Sequence, residues 1–287
     1  MKERPLSRRS MFGFFARAAV GAWAVSVLRP VKAVAQKVAQ SPVARSAREA
    51  IQKAFVTAQT PTGYDVHAHH WAMAIDVERC IGCGLCAEAC KGENHVLKEP
   101  FYFRTWIERY IIRKPDPRSF ELRGETLVDS PNGGIGGFPP SPVRKENILR
   151  TFFVPKLCNQ CEHSPCIQAC PVGATFDSPD GAVLIDKEYC IGCGFCVQAC
   201  PYGCRFLNPV TKTAEKCTLC YHRITHGLRP ACVEVCPTGA RIFGDLKDGN
   251  EKNPVRVFIE NNKVQVLKPH LGTEPRVYYA GLDKEVR

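Results

Sequence analysis

Residues 75–90 read IDVERCIGCGLCAEAC, and the pattern returns at residues 185–200 as IDKEYCIGCGFCVQAC. Eleven of these sixteen positions are identical. In both stretches the cysteines follow the spacing Cys-x2-Cys-x2-Cys-x3-Cys. Three cysteines so spaced can wrap a short loop around one face of an iron–sulfur cube, and Gly82 and Gly84 let that loop turn tightly. The chain therefore repeats a candidate cluster-binding half-site.

Sixteen of the seventeen cysteines fall into four groups of four; groups 1 and 3 have the spacing above, while x4 in group 2 and x11 in group 4 replace the second x2. Group 1 is Cys80, Cys83, Cys86 and Cys90; group 2 is Cys158, Cys161, Cys166 and Cys170; group 3 is Cys190, Cys193, Cys196 and Cys200; group 4 is Cys217, Cys220, Cys232 and Cys236. A [4Fe–4S] cluster needs four thiolates, so the sequence predicts four [4Fe–4S] clusters. The remaining cysteine, Cys204, is interpreted as a small buried residue.

The closing cysteine of a compact group begins a helix that leads away, and in a two-cluster unit it ligates the other cluster. We therefore predict an α+β fold, a duplicated bacterial two-cluster ferredoxin with a pseudo-twofold relation, four clusters, insertions and short β-hairpins. The apolar runs Ala182–Ile185, Val255–Ile259 and Val264–Leu267 predict strands. Short helices are expected after the third cysteines.

Two other uses of the cysteines fit the spacing less well. Disulfides fit poorly, because two cysteines with only two residues between them rarely present their side chains correctly to each other. Structural zinc also uses Cys-x2-Cys pairs, but it does not explain the Cys-Pro closures at Cys170, Cys200 and Cys236. Group 1 departs from that closure, with Lys91 after Cys90. A cysteine-rich zinc-binding or structural protein stays the least favoured alternative.

The N-terminus predicts export. Residues 7–12, SRRSMF, resemble a twin-arginine signal, and the apolar stretch Ala18–Leu28 is too short to span a bilayer. Ala33-Val34-Ala35 resembles a signal-peptidase site. We predict a signal peptide over 1–35 and a periplasmic protein, exported folded. A basic amphipathic helix or an uncleaved anchor is the alternative.

The rest of the chain divides into a linker or surface helix over 36–63 and a four-cluster domain over 64–287. That domain carries an insertion over 97–150, with a β-prone run at Phe101–Ile112 and a turn-rich loop at Pro131–Pro142. An exposed ribbon bearing Trp106, Tyr110, Ile111 and Ile112 would need covering, which favours a docking arm over a plain surface hairpin.

Net charge does not point to nucleic acid. The chain totals +11, but residues 1–60 hold eleven Lys or Arg against two Asp or Glu. Residues 61–287 hold the remaining 28 and 26, a net of only +2. Because the basic residues belong to the leader and its tail, no nucleic-acid partner is predicted.

The four ordered groups, the long gap before group 2 and the leader resemble the four-cluster iron–sulfur subunits of the dimethyl-sulfoxide-reductase type. Related subunits serve tetrathionate, polysulfide and nitrite reduction and periplasmic hydrogenases. The resemblance covers roughly residues 64–245 and implies four ligand sets. Set A is Cys80, Cys83, Cys86 and Cys236; set B is Cys217, Cys220, Cys232 and Cys90; set C is Cys158, Cys161, Cys166 and Cys200; set D is Cys190, Cys193, Cys196 and Cys170.

Each implied cluster is saturated by thiolates and has no open iron, so outer-sphere electron transfer is the chemistry left. The resemblance implies a non-catalytic subunit, membrane-associated through its partners, that relays single electrons. One partner would be an integral quinone-interacting subunit and the other a catalytic molybdopterin subunit. A hydrogenase or a multihaem cytochrome in place of the molybdenum subunit is the alternative.

Four basic residues lie near the ligands in sequence and could favour cluster reduction. They are Lys91, Arg205, Lys216 and Arg223. For each of them the sequence favours a solvated surface charge over a tuning role.

Overall fold

The computed structural model describes residues 42–99, 101–115 and 125–286. The predicted leader, 1–35, lies outside these residues. The chain divides into two units, Met1–Lys53 and Ala54–Arg287. Within the predicted linker, helix α1 spans Pro42–Gln59. No described helix has the length and apolar character needed to cross a membrane.

A four-stranded sheet supports the first cysteine group. Strand β1 (Trp71–Asp76) ends four residues before Cys80 and lies between β9 (Arg241–Asp245) and β11 (Val277–Ala280). It pairs antiparallel with β9 and parallel with β11, while β10 (Val264–Gln265) pairs with the outer edge of β11. Buried on both faces, β1 holds the loop that follows it in a fixed position.

The predicted strand Val255–Ile259 is wrong, because these residues lie in helix α7 (Pro254–Asn261). The Asn253 side chain caps the helix by accepting from the Val255 amide at 3.2 Å, and Pro254 occupies its first turn. Val255 and Ile259 then pack on one face of β1, against Ala72 and Ala74.

The predicted insertion lies largely in a three-stranded antiparallel sheet in the order β3-β2-β4, whose third strand continues past residue 150 to Leu157. These strands are β2 (Thr105–Arg113), β3 (Thr126–Asp129) and β4 (Ile148–Leu157). The expected exposed ribbon is wrong, since Tyr110, Ile111 and Ile112 are buried. The central strand β2 has a neighbour on each side and places Tyr110 in the main core, so the exposure that favoured a docking arm is absent.

Short elements complete the described fold. Two hairpins pair β5 with β6 and β7 with β8. The elements are α2 (Leu85–Glu93), α3 (Pro165–Gln168), β5 (Thr175–Asp177), β6 (Val183–Ile185), α4 (Phe195–Ala199), β7 (Phe206–Leu207), β8 (Ala214–Glu215), α5 (Tyr221–Ile224) and α6 (Ala231–Glu234). Strands β6 and β10 correspond to the predicted strands Ala182–Ile185 and Val264–Leu267. The short helices expected near the third cysteines are also present.

Candidate iron–sulfur sites

Glycines shape the loops that carry groups 1 and 3. Gly84 has φ of +77° and immediately precedes helix α2, in a conformation that disfavours any residue with a Cβ. A Cβ on Gly84 would lie 1.9 Å from the Gly134 carbonyl oxygen, and one on Gly192 would lie 2.1 Å from that of Lys212. The polypeptide therefore passes too close to these loops for any other residue.

Set A joins the start of the cysteine-rich region to its end. Burial raises the pKa of Cys80 to about 11, and the nearby charges of Cys86 and Cys236 add to the rise. Burial also raises the pKa of Cys236, but backbone hydrogen bonds, led by that of Arg241, bring it below its ordinary value. Cys83 lies in the same loop, between Cys80 and Cys86.

Set B surrounds one small cavity, which all four of its cysteines line. Burial raises the pKa of Cys90 well above its ordinary value, and the charges of Cys217, Cys232 and Cys220 raise it further. The pKa of Cys232 rises to about 12, again mainly through burial. Because thiolates are the ligands of iron, cluster binding here must displace protons from buried thiols.

Asn94 adds a polar donor to set B. Its Nδ2 lies 3.6 Å from Cys90 Sγ and 3.5 Å from Cys220 Sγ. Arg104 Nη1 donates to Asn94 Oδ1 at 3.0 Å and so fixes which end of the amide faces the sulfurs. No spacing rule in the sequence marks Asn94.

Set C brings together groups 2 and 3. Burial raises the pKa of Cys161 to about 12, and the charges of Cys158, Cys166 and Cys200 contribute to the rise. Cys166 is also buried and its pKa is raised, chiefly by burial. The four sulfurs of this set therefore influence one another directly.

Cys204 is buried, as the sequence predicts, and it contacts a candidate ligand. A hydrogen bond from Cys204 is the main cause that lowers the pKa of Cys200 to about 5. The Cys204 Sγ also lies 2.9 Å from the carbonyl oxygen of Leu157. One S–H serves a single acceptor at a time, so these two contacts are alternatives.

Set D lies at the most exposed site. Burial raises the pKa of Cys196, and the charges of Cys170 and Cys190 contribute to the rise. The Ala214 amide donates to Cys190 Sγ at 3.3 Å. Cys193, in the loop between Cys190 and Cys196, is exposed to solvent, whereas the other cysteines of the described residues are buried or partly buried.

Neighbouring sets interact in the order A, B, C, D. Between A and B, the charge of Cys86 adds to the burial that raises the pKa of Cys232, and between B and C the charge of Cys158 adds to the burial that raises the pKa of Cys217. Between C and D, the charges of Cys166 and Cys196 raise the pKa of Arg205 against the effect of burial. The sets therefore form a series from the β1 loop to the exposed loop of Cys193.

The prediction of solvated surface charge is wrong for Arg205 and Lys216, which are 5% and 1% exposed. Lys216 Nζ donates to the carbonyl oxygens of Val183 and Cys217, and burial lowers the pKa of this lysine. The core that encloses the cysteines encloses these side chains too, which proximity in sequence alone does not indicate.

The other two cations are partly buried and already engaged. Lys91 Nζ donates to the carbonyl oxygens of Leu97 and Glu99, each at 2.8 Å. Arg223 pairs with Glu93 at 2.9 Å and also with Glu234. Neither is a freely solvated charge.

Buried donors without a protein partner test whether the sites fit a sulfide-rich group. Among the described residues, the buried donors with no hydrogen-bond partner include Arg205 Nε and Nη2, Arg241 Nη1 and Asn159 Nδ2. A buried N–H group without a hydrogen bond costs free energy, so each of these donors needs an acceptor. The inorganic sulfides and thiolates of a [4Fe–4S] cluster are acceptors of this kind, and the sites fit the group.

No three or more Cys, His, Asp or Glu side chains of the described part of the chain are arranged to hold one metal ion. Each candidate site is instead a set of four thiols, three from one cysteine group and one from another.

Comparison with known proteins agrees with this arrangement. Two models of the 4Fe-4S dicluster domain match the chain, at residues 79–174 and 149–246. A tetrathionate reductase subunit of Salmonella typhimurium is 40% identical over 215 residues, 75% of this chain and 74% of that protein. The Hdr-like menaquinol oxidoreductase iron-sulfur subunit 1 of Archaeoglobus fulgidus is 35% identical over 255 residues, covering 75% and 84%. A sulfite dehydrogenase subunit of Allochromatium vinosum is 36% identical over 219 residues, covering 72% and 81%.

The chain belongs to the family of iron–sulfur electron-transfer subunits of respiratory oxidoreductases. The predicted family and the predicted electron-transfer function are confirmed. Two dicluster domains account for four [4Fe–4S] clusters, which confirms the predicted cofactors. The structural zinc alternative is removed by this membership. This iron–sulfur subunit thus consists of tandem dicluster, ferredoxin-like domains with short helices and small sheets.

Proposed function

We propose that sets A to D each hold one [4Fe–4S] cluster and that two pseudo-twofold-related halves make up the domain. In each set, three cysteines come from one group and the fourth closes another group. This exchange is how a two-cluster ferredoxin shares its closing cysteines. The observation that carries the proposal is the cavity lined by all four set B cysteines, since Cys90 lies 127 residues before Cys217 in the chain.

A [4Fe–4S] cluster with four thiolate ligands supplies one-electron oxidation and reduction without an open iron. The protein buries most of the ligand sulfurs and directs N–H donors at them, as Asn94 does toward Cys220. Burial keeps water from most of these sulfurs, and the N–H donors help to fix their positions. The subunit is therefore an electron carrier and no enzyme on its own.

The series A, B, C, D gives the order of electron passage, in either direction. Set D is the terminal site at one end, where Cys193 reaches the surface. Set A is the other terminal site, beside the central strand β1 of the four-stranded sheet. A redox partner would dock at each end.

We place the subunit in the periplasm, exported folded by the twin-arginine signal over residues 1–35 and held at the membrane through its partners. One partner is an integral subunit that exchanges electrons with quinone, a role supported by the menaquinol named for a relative. The other is a catalytic subunit, which we propose carries molybdopterin. Relatives named for tetrathionate reductase and sulfite dehydrogenase support a separate catalytic partner.

The first test is the iron and acid-labile sulfide content of the anaerobically purified protein. Four clusters require about sixteen of each per chain, and dithionite reduction should produce interacting electron paramagnetic resonance (EPR) signals. The variant Cys217→Ser should lose about four of each, while Cys204→Ser should keep the full content. Equal losses from both variants would overturn the assignment of set B.

Partner identity is tested by purifying the subunit with its native complex from the membrane fraction. A molybdenum-containing subunit in the complex supports the proposal. A haem absorption spectrum or a nickel-containing subunit in its place would overturn the molybdopterin partner and leave the cluster assignment intact.

A further inference from the structure

Two buried arginines occupy equivalent positions in the repeated cysteine pattern. Arg205 and Arg241 are each the fifth residue after a closing cysteine, in the segments Cys200–Arg205 (CPYGCR) and Cys236–Arg241 (CPTGAR). They are 5% and 3% exposed. Groups 1 and 2 carry other residues at this position, so the pattern belongs to groups 3 and 4 alone.

Both arginines are held in the same way. Arg241 Nη2 donates to the hydroxyl of Thr105 at 2.7 Å, and Arg205 Nη1 donates to the hydroxyl of Thr175 at 3.1 Å. Both threonines are buried. The neutral hydroxyls fix the two guanidinium groups in place without neutralising them.

Neither guanidinium has a carboxylate partner in the part of the chain that the structure describes. The buried Arg109, by contrast, is paired with Asp129. Arg241 Nη1 and Arg205 Nε and Nη2 also have no hydrogen-bond partner there. Buried charges are normally paired, and an arginine does not lose its proton, so each requires an anion from another source.

The location of each arginine identifies that anion. Thr105, which accepts from Arg241, lines the cavity of the set B cysteines. Burial opposes the charge of Arg241, but the charges of Cys86, Cys232 and Cys80 raise its pKa above the ordinary value. Burial likewise opposes the charge of Arg205, and the charges of Cys166, Cys158 and Cys196 raise its pKa. Each therefore lies at a junction between two sets and faces sulfurs of both.

A [4Fe–4S] cluster ligated by four thiolates is an anion in both redox states and gains one further negative charge on reduction. We propose that Arg241 and Arg205 are tuning residues, each the buried counter-charge and hydrogen-bond donor shared by two clusters. Arg241 serves the clusters of sets A and B, and Arg205 those of sets C and D. Each favours the reduced state of both its clusters. This inference rests on the proposed ligand sets.

The test is an EPR-monitored redox titration of the whole purified protein, after iron analysis of each variant. In Arg241→Met, two of the four midpoint potentials should each fall by about 59 mV. This shift corresponds to about a tenfold decrease in the equilibrium constant for one-electron reduction. Arg205→Met should lower the other two. Arg241→Lys and Arg205→Lys keep the charge and should restore most of each shift.

Arg109→Met is the matched control, because it also removes a buried arginine, but one neutralised by Asp129. It should leave all four potentials unchanged. Fully loaded Arg241→Met protein with no shifted potential, or with all four shifted equally, would overturn the proposal. If Arg241→Met does not retain its iron, Arg241→Gln, which keeps an N–H donor but no charge, carries the same test. Wild-type protein without about sixteen irons would instead refute the proposed cluster sites themselves.

Discussion

Asn94 Nδ2 lies 3.5 Å from Cys220 Sγ, although 126 residues separate the two in the chain. The same nitrogen lies 3.6 Å from Cys90 Sγ, so one amide bridges the two cysteine groups that make set B. A hydrogen bond to a ligand sulfur stabilises the more negative, reduced cluster.

Replacing Asn94 by Leu should therefore lower the midpoint potential of one cluster alone. The midpoint potential is expected to fall by about 59 mV, which is about a tenfold decrease in the equilibrium constant for reduction. A redox titration monitored by EPR measures it. Asn261→Leu is the control, because within the described residues the Asn261 side chain donates to the Val257 carbonyl oxygen of its own helix and to no cysteine. An unchanged potential in fully loaded Asn94→Leu would contradict the role given to this amide.

Gly84→Ala should destabilise the protein more than Gly227→Ala. Both glycines have positive φ, +77° and +74°, so both variants carry a backbone penalty of about 1–2 kcal/mol. A Cβ on Gly227 meets nothing within 4 Å, whereas one on Gly84 would clash with the Gly134 carbonyl. Melting temperatures at one fixed scan rate, with iron content, compare the two. Equal decreases in melting temperature would mean that the Pro131–Gly134 turn can move away from the new Cβ at little cost in free energy.

Two arginine–carboxylate pairs in the insertion's sheet should differ in their contribution to stability. Arg109 is buried and donates through Nε to Asp129 at 2.9 Å, while Arg113 pairs with Glu125 at the surface. Arg109→Met should cost about 3 kcal/mol, at the lower end for a buried pair because Asp129 is 30% exposed. Arg113→Met should cost about 0–1 kcal/mol. Thermal unfolding of both variants checks the difference, and a larger loss in Arg113→Met would refute it.

Limited oxidation should release the set D cluster first, because Cys193 is the exposed ligand. Brief ferricyanide treatment of the isolated subunit, followed by alkylation and mass spectrometry, should label Cys193 before the buried Cys86 and Cys90. Simultaneous labelling of these three would show that surface access does not set the order of loss. Partner binding at this end should slow the reaction.

The cysteine spacing is sufficient to predict the loops, the short helices after them and the cofactors. Spacing works here because each cluster fixes the local backbone through three nearby thiolates. It does not reveal the burial of other residues, which is why the prediction of surface charge fails for Arg205 and Lys216. Their positions depend on how separate loops pack, and the recurrence of Arg205 and Arg241 after Cys-Pro-x-Gly is the available signal.

One error of secondary structure and one error of exposure remain. The apolar run Val255–Ile259 is compatible with a strand by composition, but Asn253 and Pro254 before it are a helix start signal. Exposure is the wrong expectation for Ile111 and Ile112 because the sequence does not reveal that two strands flank them. Their burial depends on pairing with β4, whose residues lie about forty positions later.

The pairing of β1 with β11 has a consequence for biosynthesis. Met73 aligns with Val277, so the strand that leads into the first cysteine group gains its last neighbour from the final residues of the chain. Because Met73 precedes Val277 by 204 residues, this sheet cannot close until β11 has been synthesised. A truncation that removes β11 would therefore weaken the support of the first cysteine group, which is translated long before that strand.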